Sequence, residues 1–90
     1  MPTAIALPEL GVGDEPVRVS CWLVETGDAV TEGERVVEVL VRGMTFDVAA
    51  PVSGVVGRIE RPSDAVTSTH DVLGWIEEAS LEVGRISGIG

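Results

Sequence analysis

Asp28-Ala29-Val30-Thr31 returns as Asp64-Ala65-Val66-Thr67, an offset of 36 residues. In the same register Val36-Val37 falls on Val72-Leu73, Val39 on Trp75, Val19 on Val55 and Leu23 on Ile59. A repeated tetrapeptide with apolar positions in step on both sides implies two similar halves of about 36 residues. Each half is too short to bury a core of its own, so the two must pack on each other. A chain of 90 residues then makes one small domain.

Within each half the pattern is that of short strands. Val17, Val19, Cys21 and Leu23 alternate, with Arg18, Ser20 and Trp22 on the other face. Val37, Val39 and Val41 alternate likewise, with Val36 and Leu40 opposite; Phe46 and Val48 follow, then Val55, Val56 and Ile59, then Val72, Leu73, Trp75 and Ile76. Sixteen valines in 90 residues reinforce this reading, because a side chain stiff at χ1 suits a pleated surface. Turns fall at Gly11 to Asp14, Thr26 to Asp28, Glu32 to Glu34, Arg42-Gly43 and Arg61 to Asp64. No window carries a helical apolar stripe between caps. Many short, evenly spaced strands make a small all-β sandwich or barrel.

Charge excludes whole classes of partner. Fifteen acidic residues against six basic ones leave a net charge of −9, a poor match for nucleic acid or an anionic membrane surface. A single cysteine cannot close an internal disulfide, and one histidine provides no metal-ligand cluster. The start, Met1-Pro2-Thr3-Ala4, lacks the basic and apolar regions of a secretory signal, and no apolar run approaches membrane-spanning length. The expectation is a soluble protein of a reducing compartment, the cytoplasm. Every basic residue is arginine, and the chain contains no lysine, which removes lysine Schiff bases, lysine nucleophiles and acylated lysines together.

Arg42-Gly43 separates two strand runs with almost no residues to spare, which reads as a tight hairpin with an exposed tip. After Glu78 the alternation decays. A domain over residues 1–79 is expected, followed by a flexible tail or the start of a linker over 80–90. Beginning at Met1 and ending near the domain boundary, the chain reads as a free-standing protein or an excised N-terminal domain.

Leu7-Pro8-Glu9-Leu10-Gly11, Val19 through Val30, Glu32-Gly33, Val36-Val37-Glu38-Val39 and Ala50-Pro51-Val52-Ser53-Gly54-Val55-Val56 together resemble the lipoyl domain of 2-oxo acid dehydrogenase acyltransferases and the related biotinyl carrier domain. The resemblance covers roughly residues 5 to 78. It implies a flattened β-barrel or sandwich of two four-stranded antiparallel sheets with quasi-two-fold symmetry, a barrel-sandwich hybrid. In that family lipoate or biotin is attached as an amide to one lysine at a hairpin tip, within Asp-Lys-Ala or Met-Lys-Met. Alignment on Ala50 to Gly54 puts Gly43 at the acceptor position, with the recognition glycines Gly33 ten residues before it and Gly54 eleven after. The local sequence is Leu40-Val41-Arg42-Gly43-Met44, in which only Met44 matches the biotinyl motif and Arg42 replaces the acidic residue of lipoyl domains. Glycine has nothing to acylate.

The expectation is therefore a non-enzymatic lipoyl-like module, without cofactor or metal, that works through protein–protein contact. Its partners would be components of a 2-oxo acid dehydrogenase-like or other acyl-transfer complex. Val41, Arg42, Gly43 and Met44 form the candidate contact surface, with Arg42 placed to meet a partner's carboxylate. Two alternatives stand beside it: a carrier domain, with lipoate or biotin, whose lysine at position 43 is altered in this chain, and a structural barrel of a larger assembly. Cys21 is expected on the core face and inert, and His70 on the surface. Asp28 and Asp64 are expected to stabilise equivalent turns rather than to act in acid–base chemistry. Trp22 and Trp75 are expected as core or half-buried packing.

Overall fold

Alternating valines make the strands, and glycines with short polar side chains end them. The structure, a computed structural model, describes residues 2–13 and 15–78; the expected tail lies outside them. Eight strands run in order: β1 (Pro2–Ala6), β2 (Val17–Trp22), β3 (Ala29–Val30), β4 (Arg35–Val41), β5 (Met44–Ala49), β6 (Gly54–Ile59), β7 (Val66–Thr67) and β8 (Val72–Glu78). They form two four-stranded antiparallel sheets, β1-β8-β6-β3 and β5-β4-β2-β7. The sheets face each other as a flattened sandwich, not a closed barrel. The described residues include no helix.

The order of one sheet maps onto the other when β1, β8, β6 and β3 are exchanged for β5, β4, β2 and β7. The two-residue strands β3 and β7 each cross to the opposite sheet, which ties the halves together. The structural repeat, however, is 37 residues, one more than the tetrapeptide offset. Leu23 N–H donates to Val36 O and Glu60 N–H to Leu73 O; Gly27 N–H donates to Val56 O and Asp64 N–H to Val19 O. Left-handed residues follow the same step, Gly27 (φ 97) with Asp64 (φ 76) and Gly33 (φ 91) with His70 (φ 75). Strand side chains have a period of two, so a slip of one exchanges the faces. Val19 therefore answers to Val56, both buried, and not to Val55, which is 42% exposed. Asp28 and Asp64 likewise do not hold equivalent positions.

Bulges explain the remaining departures from simple alternation. The β2–β4 register shifts between Val19 and Cys21, and the β6–β8 register shifts between Val56 and Arg58, again 37 residues on. An extra residue on one strand re-aims everything beyond it. Trp22 packs against the core as expected of it, although it alternates with Cys21; Cys21 is only partly buried, and Leu23 is 49% exposed. A further shift between Arg35 and Val37 buries Val36 beside Val37.

The core is aliphatic: Ile5, Leu7, Leu73, Ile76 and a run of valines are essentially without exposure. Each contributes about 1.5–3 kcal/mol of burial. Trp22 sits at its rim and Trp75 is half-buried beside two surface grooves, and both satisfy their indoles. Trp22 Nε1–H donates to Arg61 O at 2.7 Å and Trp75 Nε1–H to a Glu60 carboxylate oxygen at 3.0 Å. Gly74 makes room for Trp22, since a Cβ there would lie 2.9 Å from the indole ring.

Candidate functional site

The β4–β5 hairpin carries the candidate site. Its strands pair from Arg35 opposite Ala49 to Val41 opposite Met44, leaving Arg42 and Gly43 as a two-residue turn. Both have positive φ, 54° and 78°, as the type I′ turn that matches strand twist requires. Glycine at 43 is what lets the second position adopt that geometry without strain. A Cβ on Gly43 would meet nothing within 4 Å, so the position is sterically open.

The four expected contact residues divide. Arg42, Gly43 and Met44 are exposed, Met44 by 54%. Val41 is buried at 1% and belongs to the core, because its side chain alternates with Leu40 and faces the opposite sheet. Arg42 does not stand alone: its guanidinium lies 3.2 Å from the Glu15 carboxylate, on the segment leading into β2. Sequence spacing gave no signal of that pair, which joins residues 27 positions apart.

The two glycines flanking the hairpin have structural duties. Gly33 turns the chain at φ 91° and donates its N–H to Ala50 O at 2.9 Å. Gly54 lets β6 pass against β8, where any Cβ would collide with the Glu77 carbonyl. Asp28 caps its turn by accepting the Glu25 N–H at 2.8 Å, the role expected of it. The carboxylates that act as counterparts are Glu34, on the Thr31 N–H, and Asp71, on the Ser68 N–H.

Cys21 is the other reactive side chain. It is half-buried, contrary to the expectation of a core thiol, and its Sγ lies 3.5 Å from a Glu38 oxygen. Desolvation first, then the hydrogen bond and negative charge of Glu38 and the charge of Asp47, push its pKa above the ordinary thiol value. The thiolate is thus suppressed by its surroundings. His70 is exposed on the surface, with its backbone N–H donated to Leu7 O. Among the described residues, no group of three or more His, Cys, Asp and Glu converges as a metal site, and every buried side-chain N or O has a partner. No helix among them is long and apolar enough to cross a membrane. The hairpin thus presents a guanidinium, a thioether and open backbone.

Residues 3–76 match the family described as Biotin-requiring enzyme. The chain is 30% identical over 78 residues to the dihydrolipoyllysine-residue succinyltransferase component of the 2-oxoglutarate dehydrogenase complex of Rickettsia typhi, covering 87% of this chain and 20% of that protein. It is 27% identical over 85 residues to the dihydrolipoyllysine-residue acetyltransferase component of the acetoin cleaving system of Pseudomonas putida, covering 94% and 23%. The chain thus spans about a fifth of the length of these relatives. Among solved structures, the lipoyl domain of the 2-oxoglutarate dehydrogenase complex from Azotobacter vinelandii superposes with a TM-score of 0.68 at 22% identity, over 86% of this chain and all of that one. That likeness establishes the fold.

Proposed function

Because the chain belongs to the Biotin-requiring enzyme family, we propose that it is a carrier-type domain that carries nothing and works as a protein-interaction module. The domain is lipoyl-type and non-catalytic. The observation that carries the finer reading is the complete absence of lysine from the chain. Amide attachment of lipoate or biotin needs a side-chain amine, and no position supplies one. The family resemblance of Ala50 to Gly54 implies Gly43 as the acceptor place, and its position in a hairpin turn supports that reading. The relatives are components of 2-oxoglutarate dehydrogenase and acetoin-cleaving systems, which supports partners drawn from multienzyme or acyl-transfer machinery. Arg42, Gly43 and Met44 are the surface through which such a partner is met.

The test is made on the protein and on Gly43→Lys, each incubated with a lipoate ligase, ATP and lipoate. Intact-mass spectrometry is expected to find the natural chain unmodified. The open space around Gly43 leaves room for a lysine, so lipoylation of the variant would mean that the surface is still read as a carrier and that the loss is confined to one side chain. An unmodified variant whose hairpin amide spectrum matches the parent's, so that the lysine has not distorted the φ 78° turn, means that the tip has diverged as a whole. An added acyl mass on the unaltered chain would overturn the proposal.

A further inference from the structure

One row of side chains crosses the outer face of the β5-β4-β2-β7 sheet next to the hairpin: Thr45 opposite Leu40, Leu40 opposite Arg18, and Arg18 opposite Val66. Directly opposed residues on one face lie within side-chain reach of each other. Val66 is 58% exposed, the most exposed of the large apolar side chains described. Beside it a groove is lined in part by Pro16, Arg18, Leu40, Arg42, Gly43 and Val66. Its charged lining is two arginines, in a chain of net charge −9. The grooves beside Trp75, by contrast, mix charges, Arg58 with Glu77 in one and Arg61 with Glu60 in the other.

The quasi-two-fold supplies an internal comparison. The equivalent row on the other sheet is Pro2, Glu77, Val55 and Ala29. The same backbone positions that hold Leu40 and Arg18 in one half hold Glu77 and Val55 in the other. Strand pairing therefore does not dictate the basic, apolar character of the hairpin groove. On the same sheet the next row, Asp47, Glu38 and Cys21, is acidic and bounds the groove on one side. Arg18 is steadied by donating to Asp64 O at 3.1 Å, and Arg42 by Glu15 at 3.2 Å. The Arg42 pair is largely exposed, 61% and 39%, and such pairs contribute little, so a partner carboxylate can displace Glu15.

We infer that this groove docks a partner segment bearing carboxylates flanked by aliphatic side chains, the carboxylates meeting Arg18 and Arg42 and the aliphatic groups lying on Pro16, Leu40 and Val66. The inference rests on the hairpin-contact reading and extends it from the tip to β2 and β7. Complementary charge sets the register of the segment, and the exposed apolar side chains supply the area removed from water.

The probe is a blocked Leu-Glu-Val-Glu-Leu peptide titrated into 15N-labelled protein, with Leu-Lys-Val-Lys-Leu as its control. The acidic peptide is expected to shift the amides of Arg18, Leu40, Arg42 and Val66 and to leave Val55 and Glu77 unmoved. Arg18→Glu and Arg42→Asn are each expected to weaken binding roughly tenfold, as the loss of one charge-assisted contact does. Unchanged spectra away from the groove show that each variant is folded. If Arg42→Asn weakens binding and Arg18→Glu does not, the tip contact stands and the groove is overturned. If Arg18→Glu weakens binding and Arg42→Asn does not, the groove stands and the tip reading fails. No shift at millimolar peptide, or equal shifts with the lysine peptide, overturns the inference. Concentration-dependent dimerisation that Arg18→Glu abolishes also overturns it, by placing a second copy in the groove.

Discussion

His70 holds at φ 75° a conformation that its two-fold counterpart, Gly33, adopts as glycine. A Cβ in the left-handed region costs roughly 1–2 kcal/mol, offset in part by the larger unfolded-state entropy of glycine. His70→Gly is therefore expected to raise stability by about 0.5–1 kcal/mol, read as a higher urea midpoint at unchanged slope, while Gly33→Ala lowers it. Cys21 gives a second prediction at this scale. Its raised pKa leaves less thiolate at a given pH than an ordinary cysteine has, so alkylation by iodoacetamide near pH 8 is expected to be slow. Glu38→Gln removes a negative neighbour, lowers the pKa and speeds the reaction. An unchanged rate would show that burial alone protects the thiol. The half-buried placement of Cys21 was not legible in its sequence, because a bulge is one unpaired residue and leaves the alternating pattern intact.

At the scale of elements the hairpin separates folding from recognition. Its turn needs two positive φ values, and Asn-Gly meets that need better than Arg-Gly. Arg42→Asn is thus expected to match or exceed the parent in thermal stability, even though it deletes the guanidinium and its pair with Glu15, which contributes at most about 1 kcal/mol. A melting temperature several degrees below the parent's would show that the Arg42–Glu15 pair holds the hairpin. The hairpin was legible from Arg42-Gly43 between two alternating runs. The two-residue strands β3 and β7 and the edge strand β1 were not, since two residues carry no period and Pro2–Ala6 shows no clean alternation.

Over the whole molecule, a charge of −9 on a domain with a small aliphatic core means that self-repulsion opposes folding at pH 7. Raising the ionic strength from about 0.01 M to about 0.15 M shortens the Debye length from roughly 30 Å to roughly 8 Å. Thermal stability is expected to rise across that range, and calorimetry in sodium chloride measures it. A fall would mean that the pairs Arg35–Asp47, Arg58–Glu60 and Arg42–Glu15 outweigh the repulsion. The two-fold also organises this scale: one backbone plan is used twice, with Leu40 and Arg18 on one sheet where Glu77 and Val55 stand on the other.

The sequence by itself determined the class of fold, the doubling, the hairpin and the absence of an acylable amine. Those features are written in composition, in strand periodicity and in local turn chemistry. Tertiary structure alone decided the 37-residue register, because it is set by which backbone N–H and C=O groups pair across strands, and those pairings, the bulges included, recur one residue later than the repeated tetrapeptide. It also decided that Val41 belongs to the core, that Glu15 meets Arg42, and that Arg18, Leu40 and Val66 share a row. Each of these depends on which strands lie side by side, and cross-strand pairing brings together residues that the chain keeps far apart.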